Sequence, residues 1–129
     1  MRITDQQLAR LALAATENSY SPCSHSRVGA ALEADGQIFT GTNVENRSIG
    51  LTICAERSAV VTAISAGATN FNRIAIAVPG DVAIPPCGAC LQTLAEFCVD
   101  LKILLVNGKG EFERTRLKKL YPRPFRPKK

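Results

Sequence analysis

Apolar positions along this 129-residue chain repeat with two different periods. Over 4–20, Leu8, Leu11, Ala12 and Ala15 recur at helical spacing, and Thr4 with Gln7 makes a capping box that would open the helix. Ser21-Pro22 would end it. Runs 27–32 and 37–40 are strand-like and flank Asp35-Gly36, a strong hairpin-turn signal. Segment 43–52 is too polar and irregular for a core element and is expected to be loop. The Ala-rich apolar run 53–66 predicts a mostly buried helix closed at Gly67. A short β-branched strand is expected over 73–78, and Pro85-Pro86 forces an extended approach to a helix over 87–98. Run 101–106 is a continuous apolar strand turned by Asn107-Gly108, followed by a further strand over 111–115 and one helical turn over 117–120. Strands alternating with helices predict a layered α/β domain with a mixed sheet.

Composition narrows the class. A chain of this length is one domain, 1–129, large enough for a core without disulfides. With 46% hydrophobic residues it fits a soluble globular protein. No stretch approaches the roughly 20 apolar residues that span a bilayer, and Met1 to Asp5 lacks the apolar core of a secretion signal. No membrane association is therefore expected. Five cysteines is an odd number and three have metal-type spacing, which favours a reducing compartment, the cytoplasm by default. The net charge of +5 comes from the tail: Arg114, Arg116, Lys118, Lys119, Arg123, Arg126, Lys128 and Lys129 follow the last acid. The remaining eight basic residues are outnumbered by eleven acids, so the body is mildly acidic, unlike a nucleic-acid-binding surface. From about 121 the tail is basic and Pro-rich, with Pro122, Pro124 and Pro127 opposing regular structure.

The candidate chemistry lies in Cys54-Ala55-Glu56-Arg57 and Pro86-Cys87-Gly88-Ala89-Cys90, a C-x-E followed by P-C-x-x-C. Two thiols at C-x-x-C spacing can grip one ion and Cys54 supplies a third ligand. Three soft sulfurs suit zinc and leave a fourth position open for water. Each motif would open a helix, whose positive dipole end favours thiolate. Glu56 can reach the open position without binding the metal and so serve as general acid and base. Arg57 is placed to offset the thiolate charge. C-x-x-C alone more often marks structural zinc or redox chemistry. A closed structural site needs a fourth ligand, however, and Cys23, His25 and Cys98 lack ligand spacing with the three; a redox pair would not require Cys54.

The chain resembles the cytidine deaminases, of the small homotetrameric, three-cysteine kind. The landmarks are Val28-Gly29-Ala30-Ala31, Asn43-Val44-Glu45-Asn46, the two cysteine motifs with Leu91-Gln92, and Leu120-Tyr121-Pro122-Arg123-Pro124-Phe125. The two motifs together are the signature of zinc nucleobase deaminases, with His or Cys as first ligand. The resemblance implies a three-layer α-β-α fold around a mixed five-stranded sheet, one Zn2+ per subunit on Cys54, Cys87 and Cys90, and Glu56 as proton shuttle. It further implies Asn43 and Glu45 on the ribose hydroxyls with Val44 between them, the Ala55 backbone at the pyrimidine, and Phe125 stacking on the base held by a neighbouring subunit. The implied activity is hydrolytic deamination of cytidine and 2′-deoxycytidine to uridine and 2′-deoxyuridine in pyrimidine salvage.

The chain departs from that pattern at the pocket. Many relatives carry an aromatic at Ser26, Tyr at Ile49, Arg at Leu91 and Tyr at Cys23. The alternative substrates are therefore a modified cytosine nucleoside or a blasticidin-type nucleoside antibiotic, although Asn43-Val44-Glu45 favours a free ribose. Polynucleotide deaminases mostly use His as first ligand, and a site sealed by a neighbour's Phe125 would exclude a strand, so nucleic acid is not the expected partner. A zinc-stabilised binding module without catalysis is the alternative of a different class.

Overall fold

The computed structural model describes residues 2–126; Pro127, Lys128 and Lys129 of the basic tail lie outside the described residues. Helix α1 (Asp5–Ala15) opens with the capping box at Thr4 and Gln7. It ends at Ala15, the last residue of its apolar repeat, and short of the stop expected at Ser21-Pro22. The Thr16 hydroxyl donates to the Leu13 carbonyl at 2.6 Å, a 3-10 turn covers Thr16–Asn18, and Tyr20 leaves to pair with Val44. The hairpin of β1 (Gly29–Ala34) and β2 (Gln37–Thr42) turns at Asp35 and Gly36, both with positive φ, as a type I′ turn requires. Then follow α2 (Ala55–Ser65), β3 (Phe71–Ala77), α3 (Gly88–Phe97), β4 (Lys102–Val106), β5 (Phe112–Arg116) and the single turn α4 (Leu117–Leu120).

The five strands form one sheet in the order β2-β1-β3-β4-β5. Only β3 and β4 run parallel, joined by α3 as a βαβ unit; the other pairs are antiparallel. Strand parity sorts the core into two layers. Leu32, Ile74, Ile76, Ile103 and Leu105 face α2 and α3, whereas Ala31, Ala75, Ala77, Leu104 and Val106 face α1. The central strands are thus covered on both faces and read as unbroken apolar runs.

Small residues set how closely the helices approach. A Cβ on Gly29 would stand 2.2 Å from the Ala12 carbonyl, and one on Gly41 would stand 2.4 Å from the Ala59 nitrogen and 2.7 Å from the Ala55 carbonyl. Gly41 therefore fixes the depth at which α2 lies against β2, and with it the position of the residues that begin α2.

At the end of the sheet away from the site, Arg73, only 3% exposed at its side chain, bonds Glu33 and Asp5, while Lys102 and Arg114 also reach Asp5. Burial alone would raise the Asp5 pKa, but the hydrogen bonds from Lys102, Arg114 and Arg73 outweigh it and hold the carboxyl far below its ordinary range. Arg73 likewise lowers Glu33 against the opposing effect of burial.

Candidate active site

Cys54 and Cys87 are the N-cap residues of α2 and α3, both in extended conformation, and neither uses its side chain to cap its helix. Their sulfurs are free for another partner. Cys90, one turn into α3, is completely buried. The two helix starts converge, so that the three sulfurs all lie within 4.8 Å of one another, with Cys87 and Cys90 at 3.6 Å. Tetrahedral zinc with Zn–S near 2.3 Å needs sulfurs about 3.8 Å apart. The donor set fits that ion, and among the described residues it is the one cluster of three or more metal-type ligands.

The charges around the sulfurs also fit a cation. Burial, then the Glu56 and Cys54 charges, push the Cys90 thiol above its ordinary pKa. The Arg57 guanidinium donates from Nη2 to Cys54 Sγ at 3.3 Å, and its buried Nε has no partner among the described residues. One guanidinium faces three sulfurs and a carboxylate; a divalent cation would offset most of the negative charge that remains. Leu91 contributes no charge and packs into the core.

Glu56 is 5% exposed in the first turn of α2, and burial raises its pKa. It lines a cleft of about 340 Å3 together with Cys54, Ala55, Cys87, Asn43, Ser26 and Val28. Larger cavities of about 450 and 530 Å3 lie elsewhere, lined by Arg2, Glu33 and Asn70 or by Tyr20, Glu45 and Arg47, and neither holds a cluster of metal ligands. Chemistry, not size, singles out the cleft.

Asn43 is a strut of the cleft wall. Its Oδ1 accepts from the Ser19 hydroxyl and from the Val28 amide at 3.0 Å, and Nδ2 donates to the Ser26 carbonyl at 2.7 Å. Val44 bridges to Tyr20 and Ile53. Glu45 lies in the neighbouring cavity, where its carboxylate accepts hydrogen bonds from the loop at Cys23 and Ser24. The Ser24 hydroxyl foremost, against slight desolvation, and then the backbone amides lower its pKa. Ile49 is 81% exposed, on a 3-10 turn (Ile49–Leu51), and Cys23 is exposed as well.

Phe125 does not line the cleft of its own chain. Gln92 on α3 holds its backbone, donating to the Phe125 carbonyl at 3.0 Å and accepting its N–H at 3.2 Å, and Tyr121 donates to the same Gln92 oxygen at 2.6 Å. The ring stays 75% exposed. Sequence reasoning missed Thr52, Val78 and Ile84 in the cleft wall, and Ser19 and Ser24 as its struts; single polar or apolar loop residues carry no periodic signal. Pro85 and Pro86, expected to force an extended approach to α3, with Pro86 also opening the P-C-x-x-C motif, both line the cleft.

Residues 2–106 match the family model of the cytidine and deoxycytidylate deaminase zinc-binding region. The chain is 42% identical over 122 residues to a cytidine deaminase of Halalkalibacterium halodurans, spanning 93% of this chain and 92% of that protein. It is 45% identical over 109 residues to a probable cytidine deaminase of Dictyostelium discoideum, spanning 83% and 74%. Among solved structures, a cytidine deaminase from Burkholderia pseudomallei superposes with a TM-score of 0.90 at 41% identity, covering 95% of this chain and 100% of that one.

Proposed function

The chain belongs to the cytidine and deoxycytidylate deaminase zinc-binding family, and from that premise we propose that it hydrolyses cytidine and 2′-deoxycytidine to uridine and 2′-deoxyuridine. The observation that carries this is the buried Glu56 carboxylate opening, beside three clustered sulfurs, into a cleft of small-molecule size. Cys54, Cys87 and Cys90 hold zinc. When bound, the ion supplies a Lewis acid that makes water nucleophilic near neutral pH. Arg57 offsets part of the thiolate charge through Cys54.

In the net reaction the water oxygen joins C4 of the cytosine, the bond from C4 to the exocyclic nitrogen breaks, and one water proton ends on N3 while the other leaves with ammonia. Glu56 moves those protons, because an amidine-type amine leaves poorly unless protonated. The Ala55 backbone contacts the pyrimidine. Asn43, through the Nδ2 hydrogen that its bond to Ser26 leaves over, and Glu45, two residues on and lining the neighbouring cavity, take the ribose hydroxyls, with Val44 between them. Phe125, anchored through Gln92 with its ring outward, stacks on the base of a neighbouring subunit in a homotetramer. The exposed apolar residues Ile49, Leu51 and Val61 support such an assembly. Five free cysteines fit a reducing cytoplasm.

A second substrate reading rests on Ser26. A serine in the cleft wall leaves room beside the base, which suits base-modified cytosine nucleosides.

The test is the loss of cytosine absorbance on mixing protein with cytidine. Glu56→Ala is expected to abolish turnover while metal analysis still finds one zinc per subunit. A wild-type protein that retains zinc but leaves the absorbance unchanged overturns the enzyme reading in favour of a binding module.

A further inference from the structure

The Glu45 carboxylate is tied down from both oxygens. Oε1 accepts the amides of Cys23 at 2.9 Å and Ser24 at 3.1 Å, and Oε2 accepts the Ser24 hydroxyl at 2.5 Å. The same hydroxyl oxygen accepts the amide of Ser26 at 3.0 Å, and Ser26 lines the cleft. The surrounding backbone is latched too. Glu45 donates to the Tyr20 carbonyl at 2.9 Å, Tyr20 to Asn43 at 3.1 Å, and the turn that presents the two amides is closed by the His25 amide on Ser21 at 2.9 Å. The amides come with the fold of this turn. The hydroxyl comes from one side chain, and among the described residues it is the donor to Oε2.

We infer that Ser24 is a positioning residue for sugar recognition, holding the Glu45 carboxylate at one rotation so that its remaining acceptor position meets a ribose hydroxyl. The inference rests on the assignment of Glu45 to the ribose. A carboxylate offers about four lone-pair positions, and three are occupied here, which leaves one for an incoming donor. A carboxylate held in advance loses less rotational freedom on binding than a free one. Through Ser26 the same hydroxyl ties the sugar side of the site to the wall against which the base lies.

The experiment compares KM and kcat for cytidine and 2′,3′-dideoxycytidine in the zinc-loaded wild type, Ser24→Ala, Ser24→Thr and Glu45→Gln, with thermal melts as a check on folding. Ser24→Ala is expected to raise KM for cytidine about 3- to 10-fold more than for the dideoxynucleoside, with kcat little altered, and Ser24→Thr to restore the wild-type ratio. An equal rise for both substrates, or none, with Glu45→Gln still selective for the sugar, overturns the role of Ser24. Should Glu45→Gln itself fail to distinguish the two substrates, the ribose assignment fails first and takes this inference with it.

Discussion

Arg57 and Cys54 stand three residues apart on the first turn of α2, with Nη2 3.3 Å from Sγ, and the guanidinium Nε beside them is buried with no partner among the described residues. The helix thus carries both a candidate ligand and the cation that offsets it. Residues behind the ligands typically change metal affinity or activity 10- to 100-fold when removed. Arg57→Ala is expected to fall in that range, read as faster zinc loss to a chelator together with lower kcat/KM. Zinc retention and activity at wild-type levels would show that the thiolates need no guanidinium.

Ser26 lines the cleft, and on the proposed reading it sets the room beside the base. Ser26→Phe supplies a stacking surface of about 1–3 kcal/mol, roughly five- to 150-fold in kcat/KM for cytidine. The same ring is expected to lower kcat/KM for an N4-substituted cytidine, so selectivity rises from both directions. Steep discrimination for unmodified cytidine in the wild type already would count against an open pocket.

Gly41 lies against the backbone of α2, where an added Cβ would stand 2.4 Å from the Ala59 nitrogen. Gly41→Ala is expected to destabilise by about 1–3 kcal/mol and to lower activity, since α2 carries Cys54 and Glu56 at its start. Gly50, where an added Cβ meets nothing within 4 Å, is the control, and Gly50→Ala should stay within about 0.5 kcal/mol. Chemical denaturation of the two variants makes the comparison.

The Asp5, Glu33 and Arg73 cluster sets the acid limit of stability. Both carboxyls have folded pKa values below their unfolded ones, so their contribution is complete above about pH 4–5, where the unfolded chain is also ionised. It is lost as pH falls through the lowered folded values. Arg73→Leu leaves Glu33 with only the exposed Arg2 as partner and takes one of three cations from Asp5, and is expected to cost up to about 3–5 kcal/mol at neutral pH. The deficit should shrink in acid, as protonation removes the stranded charge. Melting temperatures of the wild type and variant from pH 3 to 7 test the sign: a gap that widens in acid would show that the carboxyls are not held ionised by Arg73.

Local signals in the sequence specify most of the fold and the metal ligands. The Thr4 capping box, the Asp35-Gly36 turn, the stop at Gly67 and the apolar runs that became β3 and β4 act over a few residues, where propensity and periodicity operate. Cys54, Cys87 and Cys90 are legible because metal chemistry demands soft donors at short spacing, and Glu56 because it is fixed to Cys54 by the chain itself. Tertiary structure decided the rest. It ended α1 at Ala15 because Tyr20 pairs with Val44, and it brought α2 and α3 start to start, so that Cys54 meets the other two sulfurs. It committed three of the four hydrogen-bond positions of the Asn43 carboxamide to Ser19, Ser26 and Val28, tied Glu45 to Ser24, and turned the Phe125 ring away from its own cleft through Gln92. These are contacts between residues far apart in the chain. They depend on where the backbone returns, which no local pattern of apolar and polar positions encodes.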